Sequence, residues 1–284
     1  MTNRAWALAV ERPEDLSRAI AAGAIRETAA GWTADLITGG AVRFNRLYLG
    51  DEFCHHLIPT LPELETALAG CAVRQVPFTL ATPPVTDEGI NALRPLLVRL
   101  ADEPDAEVVA NDWGTLRLLS REFPKLGRIL GRTLRRQIKD PRAAETTAAG
   151  AMTDGYMTLL QRFGVSLISA DRLPDIETAL PLAMHVPFEF VTSGRICSIS
   201  GVPFPQQRKF LVDFSCPKPC REFYLDLKDA SVKGFIRQKG NTLFADNGGL
   251  ALLEKAEHWV KRWVYDLSID KKLSLLAQPV EALV

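Results

Sequence analysis

The feature that most restricts the fold of this chain is a repeated alternation of short β-branched or aromatic runs with longer helical patterns. Trp6 to Val10 reads as a first strand, and Pro13-Glu14-Asp15 supplies the proline and acidic first turn of a helix that runs on through alanine-rich residues toward Thr28. Gly39-Gly40 closes that unit. Val42 to Leu49 reads as a second strand, Leu61, Leu64 and Leu68 put one apolar face on a helix, and Val73 to Ala81 reads as a third strand. Thr86-Asp87-Glu88 opens a helix striped by Ile90, Leu93, Leu97 and Leu100, which Pro95 is expected to kink or split. Glu107 to Ala110, Gly127 to Gly131, Val165 to Ser169 and Val186 to Val191 read as further strands, with Pro187 suited to a first position. Asn111-Asp112 is a natural cap for a helix bearing Leu116, Leu119 and Phe123, and Pro174 to Leu180 reads as a short helix. Arg132 to Gly155 reads as a loop.

Repeated strand–helix units of this length favour a parallel sheet, and their number favours a (β/α) TIM-like barrel, complete or incomplete. A doubly wound sheet is the runner-up. Toward the C-terminus, Phe223 to Leu227 and Thr242 to Phe244 read as short strands around a turn at Lys239-Gly240-Asn241. Leu250 to Leu267 reads as the strongest helix, with Leu253, Ala256, Val260, Trp263, Val264 and Leu267 on its buried face. The expected organisation is one structural domain: a barrel core over 1–194, and a cysteine-containing segment over 195–284 that completes the barrel and carries the terminal helix.

Composition narrows the class of function. The 284 residues are 47% hydrophobic, enough for a sizeable core, and 34 Lys+Arg balance 34 Asp+Glu. A balanced charge gives no broad attraction to nucleic acid or to anionic membranes. The N-terminal apolar run is too short for a signal segment, and no later stretch reaches the length of a membrane span. The expectation is a soluble cytoplasmic protein.

Three of the five cysteines lie in one stretch, Arg195-Ile196-Cys197 and, eighteen residues later, Cys216-Pro217-Lys218-Pro219-Cys220. Thiols gathered this closely in an intracellular chain suit metal ligation better than disulfides. Cys54, where the run Tyr48-Leu49-Gly50 breaks, is the candidate fourth ligand. Four thiolates suit an iron–sulfur cluster or a structural zinc, and spacing alone does not separate the two, although two distant cysteines and one close pair are atypical of a zinc ribbon. Cys71 reads as a packed core thiol placed ahead of the third strand, at the opposite end of a barrel. Pro217 and Pro219 are expected to keep the Cys216–Cys220 arc out of helical form.

In these residues the chain resembles the collagenase-like peptidase family U32, and within it the iron–sulfur subunits of the oxygen-independent ubiquinone-hydroxylation pair. The resemblance rests on Tyr48-Leu49-Gly50 with Cys54, on Asn111-Asp112 after a strand, and on Arg195-x-Cys197 followed by Cys216-x3-Cys220, an ordered set of landmarks from about position 40 to 225. It implies a 4Fe-4S cluster on Cys54, Cys197, Cys216 and Cys220. It also implies a part in oxygen-independent hydroxylation, ubiquinone biosynthesis first, with a paralogous subunit as heterodimer partner, an aromatic or prenylated quinone precursor as substrate and prephenate as hydroxyl donor. The chain departs from the family in the eighteen-residue insert and in His55-His56 after Cys54.

A barrel gathers the residues after its strands at one rim, here Gly50 to Cys54, Asn111-Asp112, Arg132, Ala170-Asp171 and Thr192 to Cys197. Candidate substrate contacts are therefore Asn111, Asp112, Arg132, Asp171 and Arg195, with the two arginines suited to a carboxylate. Each has a plainer reading, as helix cap or loop brace, and His185 reads as a hydrogen-bonded core or rim histidine. Two classes of function stand: an iron–sulfur hydroxylase acting on a small aromatic substrate or an RNA base, and a non-catalytic iron–sulfur partner. A peptidase ranks third, since no activated nucleophile or metal-bound water can be read from the chain.

Overall fold

The computed structural model describes residues 5–36, 40–135, 153–173, 179–202, 205, 215–228, 235–247, 252 and 258–270. The chain begins with β1 (Ala5–Val10) and α1 (Pro13–Ala21), and then forms a small antiparallel sheet of β2 (Arg26–Thr28), β3 (Gly31–Leu36) and β4 (Gly40–Phe44). Regular units follow: β5 (Leu47–Gly50), α2 (Leu61–Arg74), β6 (Phe78–Ala81), α3 (Asp87–Leu100), β7 (Glu107–Ala110), α4 (Trp113–Glu122) and β8 (Gly127–Leu130). Beyond them come α5 (Asp154–Arg162), β9 (Val165–Ala170) and β10 (Leu182–Val186). The chain then leaves the barrel for β11 (Phe188–Ser193), α6 (Ser198–Gly201), β12 (Leu225–Leu227), β13 (Ile236–Lys239) and β14 (Thr242–Asp246), and returns as β15 (Val260–Asp266).

Eight parallel strands close into a barrel in the order β1-β15-β10-β9-β8-β7-β6-β5. The expected (β/α) barrel is therefore complete, and the doubly wound alternative is excluded. Its last strand comes from the C-terminal segment, since β15 pairs with β1 from Ala5↔Arg262 to Ala9↔Asp266 and with β10 on its other edge. Residues 187–259 are thus the crossover between two neighbouring strands. Among the described residues this crossover carries a four-stranded antiparallel sheet ordered β11-β14-β13-β12.

Side chains alternate across each barrel strand. Ala7, Tyr48, Val109, Ile129, Leu167, Ala183 and Val264 form one apolar layer inside the barrel. Outward neighbours such as Leu8, Leu49, Leu80, Val108 and Leu130 join the leucine stripes of α2, α3 and α4, and Trp6 stacks on Trp263 at 5.9 Å. Toward the strand starts the interior is polar. Arg262 there donates to the Tyr48 hydroxyl (2.8 Å) and to Glu107 (2.7 Å), and Arg46 meets the same carboxylate at 3.0 Å. The helices begin where local chemistry allows: Thr60 and Glu63 form a reciprocal capping box on α2, and Asp112 caps α4 by accepting from the Thr115 amide at 2.7 Å.

Several sequence expectations are corrected. Residues 258–266 are not helical: the spacing of Val260, Trp263 and Val264 fits a helix, but a barrel strand buried on both faces is apolar without simple alternation. Most of 250–257 lies outside the described residues, as do 136–152 of the expected loop and 174–178 of the expected short helix. Val42 to Leu49 is two strands, β4 and β5, joined at Asn45-Arg46. Val73 belongs to the end of α2, whose left-handed cap residue is Gln75 (φ 52°), so no glycine marks the boundary. Cys71 accordingly sits within α2 rather than before a strand. Pro95 lies inside α3 without dividing it. The strand expected at Val186 to Val191 breaks at Pro187 into the end of β10 and the start of β11. Pro219–Arg221 forms one turn of 3₁₀ helix, with Lys218 left-handed ahead of it (φ 56°), so the cysteine arc is partly helical after all. Among the described residues no helix is long and apolar enough to cross a membrane.

Two glycines test this architecture. Gly50 ends β5 at φ +112°, and a Cβ there would stand 2.4 Å from the Ala81 carbonyl oxygen, whereas a Cβ on Gly70 in α2 meets nothing within 4 Å. Gly50→Ala should cost at least about 1–3 kcal/mol in urea unfolding, and Gly70→Ala should gain about 0.5–1 kcal/mol. Equal midpoints for the two variants would contradict the close approach of β5 to β6.

Candidate functional site

The strand ends place Glu11, Glu52, Thr82, Asn111, Arg132, Asp171 and Asp266 at one mouth, the end at which barrel enzymes keep their chemistry. Small residues near these ends, Ala9, Gly50, Ala81 and Gly131, leave space that charged side chains fill. Glu52 is the hub. Its Oε1 accepts from Arg132 Nε at 3.0 Å and lies 3.5 Å from His185 Nε2, and its Oε2 accepts from Asn111 Nδ2 at 3.2 Å. Asn111 also donates to the Thr82 carbonyl at 2.9 Å and accepts from the Thr133 amide at 3.0 Å, its side chain lying over Gly131. Arg132, only 3% exposed, is ringed by Glu52, Asp171 (3.9 Å) and Asp266 (4.0 Å), and its guanidinium lies 4.8 Å from the centre of the Phe53 ring. Burial works against that charge, but the three carboxylates outweigh it and raise the Arg132 pKa.

The four-stranded sheet covers this mouth. Phe53 stacks on Phe190 at 4.8 Å and meets Phe244 edge-on at 5.5 Å, and the Phe190 amide donates to Asp171 at 2.7 Å. Two ion pairs fasten the cover to β1: Glu11 accepts from Lys239 Nζ and from Arg221 Nε, both at 2.8 Å. Burial opposes the charge on Lys239, while Glu11 and Asp51 more than restore it and hold its pKa above the ordinary lysine range.

The four cysteines expected as ligands come together at the seam between barrel and cover. Cys54 caps the turn His55–Leu57 and packs with Leu57 and Cys220. Cys220 lies in the 3₁₀ turn, which packs against the short helix α6 capped by Cys197. The Cys54 sulfur lies near enough to Cys220 and Cys216, and Cys220 to Cys197, for a charge on one to be felt by the other. Three of the thiols are buried and Cys216 is half-buried. Backbone amides point at the sulfurs: Ser200 N donates to Cys197 Sγ at 3.3 Å, Lys218 N to Cys216 Sγ at 3.4 Å, and the His56 amide to Cys54. Burial, with Glu11 and Asp51 nearby, pushes the Cys220 thiol up to about 12, and burial together with Asp51 drives Cys54 well above the ordinary thiol range. Cys71, in α2, belongs to the outer core and not to this group. Among the described residues no three His, Cys, Asp or Glu side chains converge closely enough to hold a single metal ion.

The expected substrate contacts separate into different places. Asp112 serves as a helix cap, accepting from Thr115 and from the Val85 amide at 3.2 Å. Asn111, Arg132 and Asp171 meet in the covered network. Arg195 does not follow a barrel strand: it lies exposed beyond β11, on the cover, where its charge reaches His55. His185 is a buried rim residue on β10, as its plainer reading has it. The sequence reading passed over Glu11, Lys239 and Asp266. Glu11 had a usable signal, because the residue after β1 reaches the rim by the same rule as Asn111.

Glu11 gives this seam a pH dependence. Burial alone would raise its carboxyl, but Lys239 and Arg221 hold it below the ordinary value of 4.5. A depressed carboxylate contributes stability that is complete above the unfolded-state pKa and is lost as pH falls through the folded-state pKa. Glu11→Gln leaves Lys239 buried without its partner and should cost about 3–5 kcal/mol at neutral pH. In urea unfolding, that deficit relative to the parent should shrink as the solution is acidified below the ordinary carboxylate range, and a deficit that stays constant into strong acid would contradict the assignment.

Compared with models of protein families, with curated proteins and with solved structures, the chain matches none.

Proposed function

We propose that Cys54, Cys197, Cys216 and Cys220 ligate a 4Fe-4S cluster, and that the protein acts as an iron–sulfur subunit in oxygen-independent hydroxylation, as the resemblance to the U32 family implies. The observation that carries this reading is the meeting of four thiols, drawn from three separate stretches of chain, at the mouth of a barrel. The donor chemistry fits the group. Thiolate ligands and amide N–H groups aimed at sulfur are the means by which proteins hold such clusters and tune them. Thiols whose ionisation is suppressed by burial ionise when a cation takes them. Each cysteine of a four-iron cluster binds its own iron, so the ligands need not converge on one point as the roughly 2.3 Å zinc–sulfur bonds of a tetrahedral site require. When bound, the cluster would supply one-electron chemistry, while Ser200, Lys218 and His56 hold the sulfurs through their amides.

The covered mouth favours one arrangement within this reading. Arg132 is committed to Glu52, and the Phe53–Phe190 stack closes the space where a barrel enzyme would take its substrate. The cluster then serves as a structural or electron-passing centre, and a paralogous subunit binds the quinone precursor and prephenate. Exposed Arg195, two residues from Cys197, is placed to meet a carboxylate at that junction.

Anaerobic purification followed by iron and acid-labile sulfide analysis tests the assignment. Four irons and four sulfides per chain, with visible absorption, are expected. Ala substitution at any of the four cysteines should reduce both, and Cys71→Ala should leave them intact. A colourless protein with one zinc per chain, or loss of iron on Cys71→Ala with retention on Cys54→Ala, would overturn it.

A further inference from the structure

The β13–β14 hairpin carries no cysteine, yet it touches every cysteine-bearing stretch of the seam. Lys239 pairs with Thr242, so Gly240 and Asn241 are the two loop residues, and Gly240 takes the positive φ (+59°) that so short a loop needs. A Cβ on Gly240 would stand in ordinary contact with Cys220 Sγ at 3.4 Å, so the turn lies directly against that sulfur, and it is the positive φ that favours glycine here. Asn241 Nδ2 donates to two carbonyls at once, that of Phe53 (3.0 Å), the residue before Cys54, and that of Gly194 (2.7 Å), three residues before Cys197. Thr242 Oγ1 donates to Asn241 Oδ1 at 3.0 Å, which fixes the amide orientation. Gln238 donates to Ser198 Oγ at 2.6 Å, beside Cys197, and Lys239 shares Glu11 with Arg221, beside Cys220.

We infer that this turn is the positioning element of the four-cysteine site, with the Asn241 amide as the clasp that sets the Cys54 stretch against the Cys197 stretch and Gly240 as the seat for the Cys220 sulfur. The inference deepens the iron–sulfur reading and, for its metal readout, rests on it. A clasp of this kind changes how firmly ligands are held more than whether the chain folds. The other end of β14 provides a matched control. Asn247 Nδ2 also bridges two carbonyls, those of Asp171 (2.9 Å) and His185 (3.0 Å), and neither is next to a cysteine.

The experiment compares Asn241→Ala and Asn247→Ala with the parent protein, each loaded anaerobically with iron and sulfide. Release of iron to a chelator is followed by loss of visible absorption, and folding is checked by circular dichroism. Asn241→Ala should release iron roughly tenfold faster or more, the usual effect of removing an outer partner of a metal site, and should shift the spectrum of the reduced cluster. Asn247→Ala should lower the melting temperature without changing either readout. In parallel, the iron-free proteins are titrated with phenylarsine oxide, which bridges two neighbouring thiols; the reaction should slow for Asn241→Ala alone. Parental behaviour of Asn241→Ala in both assays, or equal effects from the two variants, would overturn the inference. If the parent takes up no iron, the cluster reading fails while the arsenical comparison still decides the role of the turn.

Discussion

Barrel closure requires β15 to find its place between β1 and β10, and that requirement governs everything after Val186. The two pairings join β15 to β1 on one edge and to β10 on the other, so the barrel does not exist until the C-terminal segment has come back. Because residues 187–259 run between neighbouring strands, the four-stranded sheet is tethered at both ends to the mouth of the barrel. The one-residue link from β10 to β11 limits where it can settle, and the chain entropy lost in closing the loop belongs to forming the barrel. The cover is therefore part of the barrel's own connectivity, and the cysteine seam falls where cover and rim meet.

What holds the cover in register is charge in a buried place. Glu11 receives Lys239 and Arg221, and Asp171, beside Arg132, receives the Phe190 amide. Such networks add little net stability compared with an apolar packing of the same volume, but breaking one partner out of them is costly, so they penalise misplacement. This fits a seam where sulfur positions matter more than total stability. The apolar contribution comes from Phe53, Phe190 and Phe244, whose ring contacts bury the mouth.

The sequence made the barrel legible through elements whose boundaries carry chemical marks. β7 stands between an acidic stretch and the Asp112 cap and was readable to the residue; β9 was readable to within one residue of its end. Unmarked boundaries were lost. Nothing resembling glycine or proline separates β4 from β5, and α2 ends on a left-handed glutamine. β15 imitated a helix because Arg262 faces the interior to meet Glu107, which hides the strand pattern. The four cysteines stood out because thiols are rare and close spacing is informative, but the rule that barrel rims gather strand ends places Cys54 alone, since Cys197, Cys216 and Cys220 belong to the cover segment. Arg195 was misplaced because the strand before it belongs to the antiparallel cover. The hairpin turn was visible at Lys239-Gly240-Asn241, but its place against the cysteines depends on tertiary contacts that no local pattern encodes.

The central claim is that one cluster joins rim, α6 and the 3₁₀ turn into a single unit with the barrel. Hydrogen–deuterium exchange of the iron–sulfide-loaded and iron-free protein measures this most directly, because binding to the native state slows local opening wherever the ligands are held. The account predicts that loading slows exchange together at residues 54–57, 197–201 and 215–223 and at the β13–β14 turn, and leaves α2 around Cys71 unchanged. Protection confined to one of these stretches, or appearing in α2 instead, would contradict it.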